Sequence, residues 1–87
     1  MEVVLSPKSA KYLKRLVEPT KGRIKDALKK LENEPPLGDI KSIIGKDGYR
    51  LRIGNYRILF AIENDIIVVT DMGLRGQIYK GRWFYDD

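Results

Sequence analysis

Three features of the chain predict an α+β fold. Two stretches with helical spacing come first, alternating apolar stretches follow them, and short turns join those stretches. Strands that follow one another through tight turns pair antiparallel. The expected architecture is therefore a small antiparallel sheet packed against an N-terminal two-helix hairpin. At 87 residues the whole chain, 1–87, is one domain.

The elements follow in order. Val3, Val4 and Leu5 mark a short first strand. Ser6-Pro7 starts a helix: a serine oxygen caps free N–H groups, and proline suits the first helical position. Ala10, Leu13, Leu16 and Val17 then recur as an apolar stripe, and Glu18-Pro19 ends it. A second helix runs from about residue 19 to 34 on a stripe of Ile24, Ala27, Leu28 and Leu31, closed by Pro35-Pro36. Gly22 costs this helix about 1 kcal/mol relative to alanine. The many lysines of both helices read as a solvated face that also attracts anions from a distance. Residues 37–47 are a connector, in which Ile40, Ile43 and Ile44 are too apolar for a free loop.

The stretch GYRLRIGNYRILFAI, residues 48–62, carries the strongest signal. Tyr49, Leu51 and Ile53 alternate with Arg50 and Arg52. After Gly54-Asn55, Tyr56, Ile58, Phe60 and Ile62 alternate with Arg57, Leu59 and Ala61. This is a β-hairpin with a two-residue turn. In that register Ile53 faces Tyr56 and Arg52 faces Arg57, with Arg50 on the same side. Opposed like charges ~4.5–5.5 Å apart at Cβ are destabilising. Three arginines on one face thus suggest an anion site, since planar guanidinium forks suit phosphate. The plainer alternative is a solvated face with snorkelling arginines.

Glu63-Asn64-Asp65 is a polar turn, and Ile66 to Thr70 is a β-branched run expected to be central and buried on both faces. A strict two-residue turn would put Asp71 on the apolar face, so a longer turn or a bulge is expected. Gly73-Leu74-Arg75-Gly76 holds Arg75 at a strand end and leads to Tyr79 and Lys80. The chain closes with Arg82, Trp83, Phe84 and Tyr85 before two aspartates, and the aromatics should dock on something.

Composition narrows the chemistry. Lys+Arg is 17 against Asp+Glu 12, a net charge of +5, which suits an anionic partner such as nucleic acid. No cysteine and no histidine are present. That removes thiol nucleophiles, histidine acid–base pairs and nearly all zinc sites, so no metal or other cofactor is expected. No membrane-spanning run or signal peptide is visible, so no membrane partner is expected and a cytoplasmic location is.

With these residues in view, the chain resembles the RelE/ParE superfamily of toxin–antitoxin toxins, on its RelE side. The likeness runs through the helical hairpin, GDIKSIIG, GYRLRIGNYRILF, DIIVVTDMG and LRGQIYK; YRLRIGNYRILF is its specific part. The resemblance implies a sheet backed by two helices. It implies a metal-independent endoribonuclease that cuts mRNA in the ribosomal A site, by attack of a 2′-hydroxyl on the adjoining 3′-phosphate, and so inhibits translation. It also implies a cognate antitoxin encoded by an adjacent gene, besides the ribosome and mRNA as partners. The family's catalytic positions fall on Arg50, Arg52, Arg57, Arg75 and Tyr79, with Lys46, Lys80 and Arg82 beside them as RNA-binding residues. Two departures stand out. Strand lysines of familiar ribonuclease members, one of them the general base, are replaced by Arg50 and Arg52. A histidine common before the late arginine is replaced by Leu74.

Roughly one arginine in a million is neutral at pH 7, against about one tyrosine in a thousand ionised. Tyr79 is therefore the candidate base, with Arg75 or Arg57 as proton donor. Alternatively Tyr79 stacks on a base and orients the 2′-hydroxyl. Two other readings stay open: a ParE-like inhibitor of DNA gyrase, and a degenerate member that binds antitoxin without cleaving.

Overall fold

The computed structural model describes residues 1–43 and 47–78. Strand β1 (Glu2–Leu5) leads into helices α1 (Pro7–Arg15) and α2 (Thr20–Lys30). Strands β2 (Asp39–Ser42), β3 (Tyr49–Ile53), β4 (Tyr56–Glu63) and β5 (Ile66–Leu74) follow, then a single turn of helix, α3 (Arg75–Ile78). The strands form one five-stranded sheet in the order β1-β5-β4-β3-β2. The α+β class and the two-helix backing hold as expected.

Helix α1 begins as its sequence dictates. Ser6 Oγ accepts from the Ser9 N–H at 3.1 Å, and Pro7 takes the first position. The buried stripe is Ser9 and Leu13 with Tyr12 and Leu16 half-buried, rotated from the expected one: Ala10 is exposed and Val17 is 75% exposed. The helix stops at Arg15, so Val17 falls beyond its periodicity. Helix α2 ends at Lys30, short of the expected residue 34, but its predicted stripe stays inward: Ile24 and, at the C-cap, Leu31 are essentially inaccessible. Burying such side chains contributes about 1.5–3 kcal/mol each. Gly22 has a local reason: its N–H donates to Glu18 Oε1 at 2.9 Å, and a Cβ there would come within 2.8 Å of that oxygen.

The helices cover one sheet face, packing on Leu51, Ile58, Phe60, Ile67, Val69 and Met72. Two features depart from the expected sheet. Residues 39–42 of the connector form the edge strand β2, paired antiparallel with β3. At the other edge β1 pairs with β5 in parallel. No hairpin joins those two strands, because both helices lie between them, so nothing in the chain forces an antiparallel pair. Strand β5 is interior, as its composition suggests, but only Ile67, Val69, Met72 and Gly73 are buried. Ile66 and Val68 are half-buried and Thr70 is exposed, so this strand is buried mainly on its helix-facing side.

The two turns set the registers. Gly54 has φ +57°, which glycine adopts without strain, and Ile53 faces Tyr56 as predicted. Asn64 and Asp65 both have positive φ, 51° and 64°, giving the two-residue turn between β4 and β5. The bulge expected to keep Asp71 off the apolar face lies between Leu59 and Phe60: Phe60 pairs with Val69, but Leu59 pairs with Asp71. Met72 thereby faces Ile58 in the core. No helix among the described residues is long and apolar enough to cross a membrane.

Candidate anion site

On the sheet face away from the helices, the register gathers cations from two neighbouring strands. Arg50 and Arg52 on β3 alternate with core residues, and Arg52 faces Arg57 on β4. Gly73 of β5 stands opposite Arg57 on the other side. Just beyond, the Arg75 N–H donates to the Asn55 carbonyl at 2.8 Å, tying the start of α3 to the hairpin turn. The fold thus brings Arg50, Arg52, Arg57 and the backbone of Arg75 to one part of the molecule.

Their surroundings differ sharply. Arg50 is fully buried; its Nη1 donates to the Asp39 carbonyl at 2.8 Å and contacts Asp39 Oδ1 at 3.3 Å. Arg57 is also buried, with Nη1 donating to the Gly54 carbonyl at 2.8 Å and the Tyr56 carbonyl at 3.0 Å. Arg52 keeps 44% of its side chain exposed and donates from Nε to Asp39 Oδ2 at 2.6 Å. Arg75 is exposed. The sequence reading put all these guanidinium groups on an outward surface. That holds for Arg52 and Arg75; Arg50 and Arg57 are drawn in by backbone carbonyls, whose hydrogen bonds replace the water that burial removes.

The opposed pair Arg52 and Arg57 is tolerated for the same reason. Arg57 turns toward the carbonyls of its own hairpin, and Arg52 turns toward β2. Asp39 sits directly opposite Arg52 across the β2–β3 pair. Burial pushes the Asp39 carboxyl up, but hydrogen bonds from Arg52 and Arg50 and their positive charge outweigh it and hold the carboxyl below its ordinary value. Sequence reasoning missed Asp39. Its only signal was Asp39-Ile40-Lys41, a charged–apolar–charged alternation too short to stand out.

Tyr79, Lys80, Arg82 and the aromatic end of the chain, along with Ile44 and Lys46, lie outside the described residues. Tyr12 offers no substitute base: it packs against the helix-side core, and burial, with Tyr56 nearby, pushes its phenol up. No group of three or more metal-ligating side chains occurs among the described residues.

Comparison with known proteins bears on the fold and the family. A family model described as the ParE toxin of the type II toxin–antitoxin system parDE matches residues 3–79. Toxin RelE3 of Methanocaldococcus jannaschii is 32% identical over 84 residues, covering 91% of this chain and 96% of that protein. The RelB-RelE antitoxin-toxin complex from Methanococcus jannaschii matches with a TM-score of 0.72 at 29% identity, over 87% of this chain and 94% of that one. The archaeal RelE-RelB complex from Pyrococcus horikoshii matches with a TM-score of 0.74 at 25% identity, over 87% and 96% of the two chains. Both the sequence match along nearly the full length and the shared fold lead to one conclusion: this chain belongs to the RelE/ParE family of toxins of type II toxin–antitoxin systems.

Proposed function

We propose that this toxin is a ribosome-dependent endoribonuclease that cleaves mRNA in the A site and is neutralised by a cognate antitoxin. The observation that carries the reading is the β3–β4 hairpin with its cross-strand arginines, beside which Arg75 is tied to the turn. In the reaction the 2′-oxygen forms a bond to phosphorus and the bond to the 5′-oxygen breaks. The products are a 2′,3′-cyclic phosphate and a 5′-hydroxyl. The 2′-hydroxyl proton passes to a base, and the leaving 5′-oxygen takes up a proton. Negative charge grows on the phosphorane oxygens, where well-placed donors lower the barrier most.

The arginines divide this work. Arg52 and Arg75, being exposed, meet the phosphate. Arg50 and Arg57 shape the hairpin beneath them and add positive potential. Tyr79 acts as base or stacks on the nucleobase, and Lys46, Lys80 and Arg82 hold flanking phosphates. Similar structures that are antitoxin–toxin complexes support an antitoxin partner here as well. Protein and RNA compete for the same excess of positive charge.

A second reading is favoured by the ParE description of the family model: a gyrase inhibitor without chemistry of its own. A third, a degenerate toxin, is favoured by the burial of Arg50 and Arg57. Primer extension on a translated message, run beside a DNA supercoiling assay, separates all three. A-site cuts support the ribonuclease. Intact message with blocked supercoiling supports the gyrase inhibitor. Antitoxin binding with neither effect supports the degenerate toxin.

A further inference from the structure

Arg52 is the cation of the β3–β4 hairpin that is both exposed and fixed. Its Nε is taken by Asp39 Oδ2 at 2.6 Å. Among the described residues neither terminal nitrogen of Arg52 makes a hydrogen bond, so both remain available to a ligand. An arginine held only by its flexible stem would sample many rotamers, and ordering it on a ligand would cost side-chain entropy.

Asp39 itself is well placed to act as a mount. It stands on β2 in register with Arg52. Its carbonyl oxygen and carboxylate are both engaged by the buried Arg50, at 2.8 and 3.3 Å. Arg50 therefore anchors Asp39, and Asp39 in turn orients Arg52. At the β2 edge of the sheet, Asp39 and Arg52 also border a groove lined by Arg23, Asp26 and Lys30 of α2, but the close carboxylate contacts of Asp39 are to Arg50 and Arg52 alone among the described residues.

We propose that Asp39 is a positioning residue for cleavage, which holds the Arg52 guanidinium by Nε so that its two terminal nitrogens face the scissile phosphate. This rests on the ribonuclease reading above. The opposite possibility is that Asp39 is a resident competitor, occupying Arg52 until RNA displaces it. The geometry favours positioning: among the described residues Asp39 takes Nε alone, and the two-donor edge that fits a phosphate meets no acceptor there.

The test compares wild type, Asp39→Asn and Asp39→Glu in ribosome-programmed mRNA cleavage, with kcat and KM resolved. Nitrogen-15 NMR follows the Arg52 Nε–H resonance in the same proteins. Positioning predicts that Asp39→Asn loses on the order of 10²-fold in kcat with KM little changed, that Asp39→Glu recovers part of it, and that the protected Nε–H signal is lost in Asp39→Asn. Unchanged kcat in Asp39→Asn, faster cleavage, or an Nε–H signal indifferent to the substitution overturns the proposal. If wild type itself does not cut on ribosomes while its Nε–H is protected by Asp39, the ribonuclease reading fails, and Asp39 has no catalytic role to position.

Discussion

Lys11, Lys14, Lys25 and Lys29 stand exposed on α1 and α2, whereas Arg50 and Arg57 lie buried in β3 and β4. Both regions are rich in cations, yet they handle charge in opposite ways. The helix lysines remain hydrated on mobile stems and contribute mainly to the long-range field, which salt screens over about 10 Å. The hairpin arginines are fixed by named acceptors: Asp39 for Arg50 and Arg52, and the turn carbonyls for Arg57. A fixed cation meets a developing charge without reorganising, and that is where electrostatic catalysis gains most. On the proposed ribonuclease reading, this contrast assigns the chemistry to the strands and leaves the helices to attraction.

This contrast can be broken from either side. The largest effect is expected from Arg52→Ala, which should lower cleavage by about 10²–10³-fold while thermal unfolding stays near wild type. Kinetics alongside a melting curve checks both halves, and a parallel loss of stability would merge Arg52 with the structural arginines. Arg50→Ala should behave in reverse, costing about 3 kcal/mol of folding stability in a urea titration, because it empties a buried site and strands the Asp39 carbonyl. Gly54→Ala forces a side chain into φ +57° and should cost about 1 kcal/mol in the same titration.

Smaller still is the acid response. Asp39 has its folded pKa lowered from 3.8, so its contribution is present above that value and is lost as pH falls through the folded pKa. Urea midpoints measured on wild type and Asp39→Asn below pH 3.8 should converge as the pH drops. The least effect belongs to Lys11→Ala or Lys14→Ala, each expected within about 0.5 kcal/mol of wild type.

The hairpin was readable because its alternation is strict and its turn is Gly-Asn. From those residues alone come the facing of Ile53 and Tyr56, the opposition of Arg52 and Arg57, and, through Asp71, the need for a bulge in the next pair. What could not be read has one root. Strand β2 is only four residues long, with a single apolar side chain, so it passed as connector. Without β2 there is no Asp39 beside Arg52, and without Asp39 the arginines look like a bare outward cluster. Periodicity reports which face a side chain leaves from, but not whether a carboxylate or carbonyl waits there. The parallel β1–β5 pair was hidden for a related reason: strands far apart in sequence carry no turn chemistry that fixes their direction.

The central claim is that guanidinium groups held by the β3–β4 hairpin act on a ribonucleotide phosphodiester. Primer extension on message translated by purified ribosomes, with wild type and Arg52→Ala side by side, tests it most directly. The account predicts breaks within A-site codons for wild type and nearly full-length message for Arg52→Ala. Equal cutting by both proteins would contradict it, as would uncut message with wild type.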